Sequence, residues 1–449
     1  MDHDPDQNLS RVPSQPEVCP SPRTRKLLTL LFAIVVVYPF VKYGFVETWG
    51  YTGFDWGIYY QAAQDLRSGK SPYPHEVLAG EETASPWNKY MYPPLFARLL
   101  GPFTFLPELW AKRLFVLANA LLCLLLLFPR GKRFAGTRIE WMGTVGWALS
   151  AAFVLGWGPA IENFRVGQAN LLPLFPIVVA WHQLGGFDPP KEKPRNFRKE
   201  ATAGACLGVA SAVKLTPLVY FPVLLAGFRF RMAFWMLVGF AGASILPGPR
   251  TCLQYVGAVL PELSRFPADR EAYTFSGLLQ SAFERIADLA GFNEPASTWT
   301  GTPAITLGGL FLAGVLVFLF ANRRRLESAD LVAIGCYLPP LLGGVWFHHY
   351  ALALFPILVA IPLLTRRWGT SVSSSSPVLT NTIGSPAFLR LAAFVIVLLP
   401  GLTYWAPLHA MVQGLATALS VSSRSLFVAG NMVAFLVILH EMARKERVP

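Results

Sequence analysis

Apolar positions in this chain come in continuous runs rather than in alternation. The stretches LLTLLFAIVVVYPFV near the start, RLFVLANALLCLLLLF (113–128) and FLRLAAFVIVLLPGLTYW (388–405) approach the about 20 residues a helix needs to cross a bilayer. Hydrocarbon offers backbone groups no hydrogen-bonding partner, so such runs must be helices or strands of a closed barrel. The lack of a period-two pattern selects helices. The 37 prolines do not oppose this, since membrane helices tolerate proline. The expected fold is all-α and polytopic.

Polar positions then order the runs. Basic clusters mark the cytoplasmic side. They are Arg23, Arg25 and Lys26; Arg130, Lys132, Arg133 and Arg138; Lys191 to Lys199; Arg229 and Arg231; Arg323 to Arg325; Arg366 and Arg367; and Arg444, Lys445 and Arg447. Loops 48–93 and 248–302 are acidic by comparison and read as external. Placing every basic cluster inside predicts about 12 transmembrane helices with both termini cytoplasmic. Residues 201–228 are too long for one untilted helix, so a broken hairpin turning near Lys214–Pro217 is expected, supported by Pro217 and Pro222. The stretch 93–107 is too short to span and reads as interfacial or re-entrant. One or two interfacial helices are expected in 248–302. The resulting division is a tail (1–26), a main transmembrane body (27–367), a Ser-rich cytoplasmic linker (368–387) and a C-terminal pair of spans with a short basic tail (388–449).

Composition sharpens the picture. Charged residues make up 14% of the chain and mean hydropathy is +0.43, against about 25% charged in soluble domains. The net charge of +12 is explained by orientation signals at span ends, and nucleic acid is not an expected partner. Five cysteines show no metal-ligand or disulfide spacing. The first apolar run lacks a small-residue cleavage site, so no cleaved signal is expected.

Candidate chemistry gathers at the outer ends. Loop GFDWGIYYQAAQDLRSGKSPY (53–73) places Asp55 before a helix stopping at Gly69, with Trp56, Tyr59 and Tyr60 on an apolar face. Asp55 fits two roles, a helix N-cap or a carboxylate that takes a proton from a hydroxyl. Arg165, at the mouth of its span, fits a phosphate ligand or a residue snorkelling to headgroups. Gln168 and Asn170 beside it fit a site or helix–helix contacts. Lys214 at the hairpin break is a costly charge and so a functional candidate, or it pairs with a carbonyl or headgroup. His348 and His349 lie in an aromatic belt with Trp346; adjacent helical residues face apart, so one of the two would point inward. No third ligand stands at zinc spacing.

Five motifs in order carry a resemblance: 53–73, YMYPPLFARLLGPFTFLP (90–107), ENFRVGQANLLPL (162–174), SAVKLTPLVYFPVLL (211–225) and GGVWFHHYALALFP (343–356). Together they resemble glycosyltransferase family 87, integral-membrane enzymes of GT-C type. The resemblance implies inverting transfer of a sugar, α-mannose first and arabinofuranose second, from a polyprenyl-phosphate donor to a lipid or glycan acceptor, without metal or cofactor. It implies Asp55 as general base. His348, His349, Lys214, Arg165, Gln168, Asn170 and Tyr59 would hold donor phosphate and sugar. It implies a multi-pass protein of a bacterial cytoplasmic membrane with its site facing outside. A lipid or sugar transporter and another GT-C transferase are the competing classes; the acidic pair expected of the latter is missing from the first loop.

Overall fold

The computed structural model describes residues 38–81, 89–127, 154–186, 196–265, 275–290, 297–361 and 392–443, apart from isolated positions and the short gaps 343–346 and 402–405. The first apolar run up to Val37, the basic loop Arg130–Arg138, the linker 368–387 and both tails lie outside them. Among the described residues there is no strand. The helices used below are α1 (Phe54–Arg67), α2 (Pro94–Leu100), α3 (Glu108–Leu127), α4 (Gly158–Val166), α5 (Leu174–Gln183), α6 (Phe197–Val213), α7 (Tyr220–Ala226), α8 (Phe230–Ile245), α9 (Pro249–Gln254), α10 (Leu260–Arg265), α11 (Phe275–Leu289), α12 (Ser297–Ala321), α13 (Ser328–Leu342), α14 (Ala406–Ala418) and α15 (Ser423–Ala443). Among the described residues only α15 is long and apolar enough alone to cross a membrane. Helix α8 joins Pro249–Leu263 through a 114° bend, and this pair passes only together.

The hairpin expected within 201–228 is present. Helix α6 starts from Asn196, whose side chain accepts from the Arg198 and Lys199 amides, as an N-cap does. It stops at Val213, and Lys214 is extended (φ −147°, ψ 133°). Pro217 explains the stop: it has no N–H to give, and its ring would strike the carbonyl four residues back. A 3-10 turn at Thr216–Val219 and α7 then carry the chain back. The packing proves the reversal. Gly204 lies against Met232 and Trp235, and Gly208 against Met236 and Phe240, so α6 and α8 run parallel. Only a return through 214–229 permits that. Helix α7 runs antiparallel to α13. Tyr220 Oη donates to Val332 O at 2.9 Å, and Arg229 Nη2 donates to Leu326 O at 2.9 Å.

The parallel pair needs small residues because two backbones approach closely. A Cβ on Gly208 would run into the Met236 carbonyl oxygen, whereas one on Gly242 would meet nothing. Gly208→Val is therefore expected to lower stability by about 1–3 kcal/mol, and Gly242→Ala to leave it unchanged or slightly raised. Thermal unfolding of the two variants in detergent checks this.

Two apolar clusters result. The larger joins α4–α8, α12, α13, the segment after Phe347 and α15, with Tyr337 Oη donating to Asn431 Oδ1 at 2.7 Å inside it. The smaller gathers Trp56, Tyr59, Tyr73, Tyr90, Phe96, Val213 and Tyr255. There the two loops read as external meet: Ser71 Oγ donates to Gln254 Oε1 at 3.1 Å, and Tyr73 and Tyr255 lie ring to ring at 6.0 Å. Residues 94–105 form α2 and a 3-10 turn, too short to span. The loop 248–302 holds α9, α10 and α11.

Candidate active site

Helix α1 begins at Phe54 with Gly53 in the cap position, and no side chain caps it. Asp55 is thus inside the first turn rather than before it. Its carboxylate makes no cap bond, and Oδ2 accepts from Gln168 Nε2 at 3.2 Å. The capping role is thereby removed.

Gln168 arrives from a helix end. Helix α4 terminates at Gly167, φ 74°, with the Gln168 amide donating to Asn163 O at 2.8 Å, a left-handed glycine stop. A Cβ there would come within 2.6 Å of Trp56 Cβ, so glycine also lets α1 and α4 touch. Asn163 then fixes the following turn: its Nδ2 donates to Gln168 O at 3.0 Å, and its Oδ1 accepts from the Asn170 amide at 3.2 Å. Gln168 and Asn170 consequently point inward from one turn.

Around the Gln168 amide the donors converge on one side. Its Oε1 accepts from Tyr59 Oη at 2.5 Å, Tyr92 Oη at 3.0 Å and the Ala169 amide at 2.9 Å, with Lys214 Nζ at 3.5 Å. Burial, the largest cause for both, raises Tyr59 well above its ordinary value and Tyr92 likewise. Both hydroxyls therefore stay protonated donors at neutral pH. Lys214, buried at the tip of the hairpin, donates to Asn170 Oδ1 and lies 5.0 Å from the Tyr92 ring centre. It forms no salt bridge among the described residues. Burial lowers its ammonium to about 7 and Asp55 pulls it up; neutral oxygens and a π face surround it, and an anion brought beside it would favour its charged form.

Asp55 is half-buried, and burial, the largest influence, raises its carboxyl from 3.8 to about 6; Lys214 and the Gln168 bond pull it down, and Glu162 pushes it up. A carboxylate near this value accepts a proton more readily than an ordinary aspartate.

Lys112, at the start of α3, supports the arrangement from behind. Its buried ammonium donates to Tyr51 O at 2.6 Å and Arg165 O at 3.0 Å. This straps the segment before Asp55 to the end of α4. Gly53 (φ 80°) leaves room for it: a Cβ there would be 2.8 Å from Lys112 Nζ.

Of the residues expected in the site, Asp55, Tyr59, Gln168, Asn170 and Lys214 form one connected cluster. Arg165 does not join it by side chain. It is exposed and bound to Glu162 twice, Nε to Oε2 at 2.9 Å and Nη2 to Oε1 at 2.7 Å. His349 is half-buried in the 3-10 turn Phe347–Ala353, and the side chain of His348 lies outside the described residues. Trp157 Nε1 donates to Tyr350 O at 3.1 Å, anchoring that turn at the start of α4; Gln168 follows the far end. Three contributors were not singled out from sequence: Tyr92, Asn163 and Lys112. Tyr92 lies in the stretch YMYPPL (90–95), directly before the two prolines, and that is its signal.

An apolar groove of about 190 Å³ lies between α3 and α5, lined by Leu122, Cys123, Leu171, Leu174, Phe175 and Val178. Leu171 follows Asn170, so the groove starts beside the polar cluster. No three His, Cys, Asp or Glu side chains converge among the described residues.

No curated protein and no solved structure matches the chain. The model of glycosyltransferase family 87 matches residues 90–343, which is more than half of the 449 residues. The matched stretch holds Tyr92, Asn163, Gln168, Asn170 and Lys214; Asp55 and the His pair flank it. It also takes in the loop 248–302, where the sequence offered no motif. The chain belongs to glycosyltransferase family 87.

Proposed function

We propose that the protein is a multi-pass membrane enzyme, crossing about 12 times, that transfers mannose with inversion from a polyprenyl phosphate to a lipid or glycan acceptor. The site would open at the non-cytoplasmic face of a bacterial cytoplasmic membrane, with both termini inside. The observation that carries this reading is the Asp55 carboxylate: raised to about 6, held on one oxygen by Gln168, and next to a buried cation without a carboxylate partner among the described residues.

In the proposed step Asp55 takes the proton of the acceptor hydroxyl. The freed oxygen attacks the anomeric carbon, and the bond from that carbon to the phosphate oxygen breaks. The polyprenyl phosphate leaves with the electron pair. Charge growing on that oxygen is stabilised by Lys214, preorganised by Asn170 and the Tyr92 ring. The leaving group is a weak base, so no strong acid is required. The groove between α3 and α5 suits the first isoprene units of the donor, and His348 or His349 and Arg165 are kept as donor contacts at the rim.

The test incubates membranes from overexpressing cells with radiolabelled polyprenyl-phosphate mannose and compares them with Asp55→Ala membranes. A labelled product present only with Asp55 supports the reading. A product formed from the arabinofuranosyl donor instead would change the sugar and keep the mechanism. Movement of label across vesicles without a covalent product would favour a transporter. Transfer is expected to survive a chelator: a loss restored by added divalent metal would contradict the metal-free step.

A further inference from the structure

We propose that Gln168 is the positioning residue of Asp55 rather than a ligand of the donor phosphate. This rests on the reading of Asp55 as the base and goes beyond it. A primary amide presents an acceptor at one end and donors at the other, and nothing in its shape favours one orientation. Here the surroundings decide. Tyr59, Tyr92 and the Ala169 amide aim three donors at one end, and Lys214 adds a fourth at longer range. Only the oxygen can stand there. The amino group must then face Asp55, and it donates to Oδ2.

Two consequences follow for the base. One carboxylate oxygen is held by a fixed donor, which restrains the group and leaves Oδ1 without a hydrogen bond among the described residues, open to the acceptor hydroxyl. The donated hydrogen bond also favours the ionised form, opposing the burial of Asp55. Asp55 therefore keeps its proton-accepting state at a pH where its burial alone would neutralise it. Other charged and titratable groups acting on it are Lys214 and Glu162, with Tyr59 and Tyr92 behind the amide. None of these can orient the carboxylate as Gln168 does, because none is bonded to it in the structure as Gln168 is. The two tyrosines act one step further out, by locking the amide.

Three variants of the full-length protein test this in membranes, with transfer from radiolabelled polyprenyl-phosphate mannose followed across pH. Gln168→Met keeps the length of the side chain and removes the donor. It is expected to lower transfer at neutral pH by about tenfold and to move the acid limb of the profile up by about one pH unit. Gln168→Glu sets a second carboxylate against Asp55 and should move the limb further up. Tyr92→Phe keeps the ring under Lys214 and removes one locking hydroxyl, so a smaller upward move is expected. Affinity for unreactive polyprenyl phosphate should fall by no more than about twofold in Gln168→Met, because Asn170 Oδ1 and the Tyr92 ring still hold Lys214 when the longer Gln168 contact is lost.

An unmoved acid limb in Gln168→Met, or a several-fold loss of polyprenyl phosphate affinity, would overturn the proposal and return Gln168 to the donor. Should Gln168→Met fail to fold, Tyr92→Phe decides alone: a limb identical to wild type counts against the lock. Activity retained by Asp55→Asn would instead overturn the base itself, which separates the two failures.

Discussion

Asp55→Asn is expected to abolish sugar transfer while leaving the protein at least as stable as before. Loss of a general base costs about 10²–10⁴-fold, and here the amide of asparagine cannot accept the proton at any accessible pH. The stability half follows from the direction of the shift. The carboxyl stands at about 6 in the folded protein against an ordinary 3.8, chiefly because it is buried. The folded state thus holds its proton more tightly than the unfolded chain does. Stability from that proton is full below about pH 3.8 and is lost as pH rises through about 6. At pH 7.5 the wild type carries a buried charge that the asparagine variant lacks. A gain on the order of 1 kcal/mol in the variant is expected at that pH, vanishing near pH 4. Asparagine caps a helix about as well as aspartate, so lost transfer in this variant reports on the carboxylate's chemistry and not on a lost cap. Transfer assays and thermal unfolding of one preparation measure both; an Asp55→Asn protein that transfers sugar at the wild-type rate would end the assignment. In the wild type, transfer should fall as pH drops through about 6.

The second large effect is expected at Lys214. Lys214→Met should fold and reduce turnover by about 10²–10³-fold, the usual cost of losing one preorganised group that meets developing negative charge. Methionine removes the cost of a buried charge and takes the Lys214 donor from Asn170 Oδ1, so thermal unfolding of the variant is read beside the assay to separate lost turnover from lost fold. The acid limb of the remaining activity should also move up, because Lys214 pulls the Asp55 carboxyl down. Lys214→Arg is expected to restore little. Its fork is planar and broad, whereas the cage of Asn170 Oδ1, Gln168 Oε1 and the Tyr92 ring holds a compact ammonium. A variant with unchanged turnover and a purely raised KM would assign Lys214 to ground-state binding instead.

How far these residues were legible in the sequence depended on whether their meaning was local. The hairpin was legible because Pro217 acts on its own neighbours, and the structure ends α6 at Val213. The ambiguity at Asp55 was not resolvable there. A capping aspartate and a catalytic one both precede an apolar helix ending in glycine, and the deciding partner lies 113 residues away. Arg165 and Gln168 show the same limit within one motif. Three residues apart on a continuous helix they would share a face. Gly167 breaks the helix between them, so Gln168 turns inward while Arg165 faces out to Glu162. Lys112 borders a long apolar run, where a lysine reads as an orientation signal; its burial follows from two backbone carbonyls that no pattern reveals.

That strap has a consequence for how the enzyme can diverge. Lys112 holds residues 51 and 165 by their main-chain carbonyls, and its ammonium also lies 5.0 Å from the centre of the Tyr51 ring. Any residue supplies a carbonyl, so a substitution at Arg165, or of Tyr51 by another aromatic residue, leaves the strap in place. Both side chains are exposed, at the ends of the segments that flank the reactive cluster. Side chains can therefore change at the ends of these segments while the backbone that positions Asp55 is inherited intact.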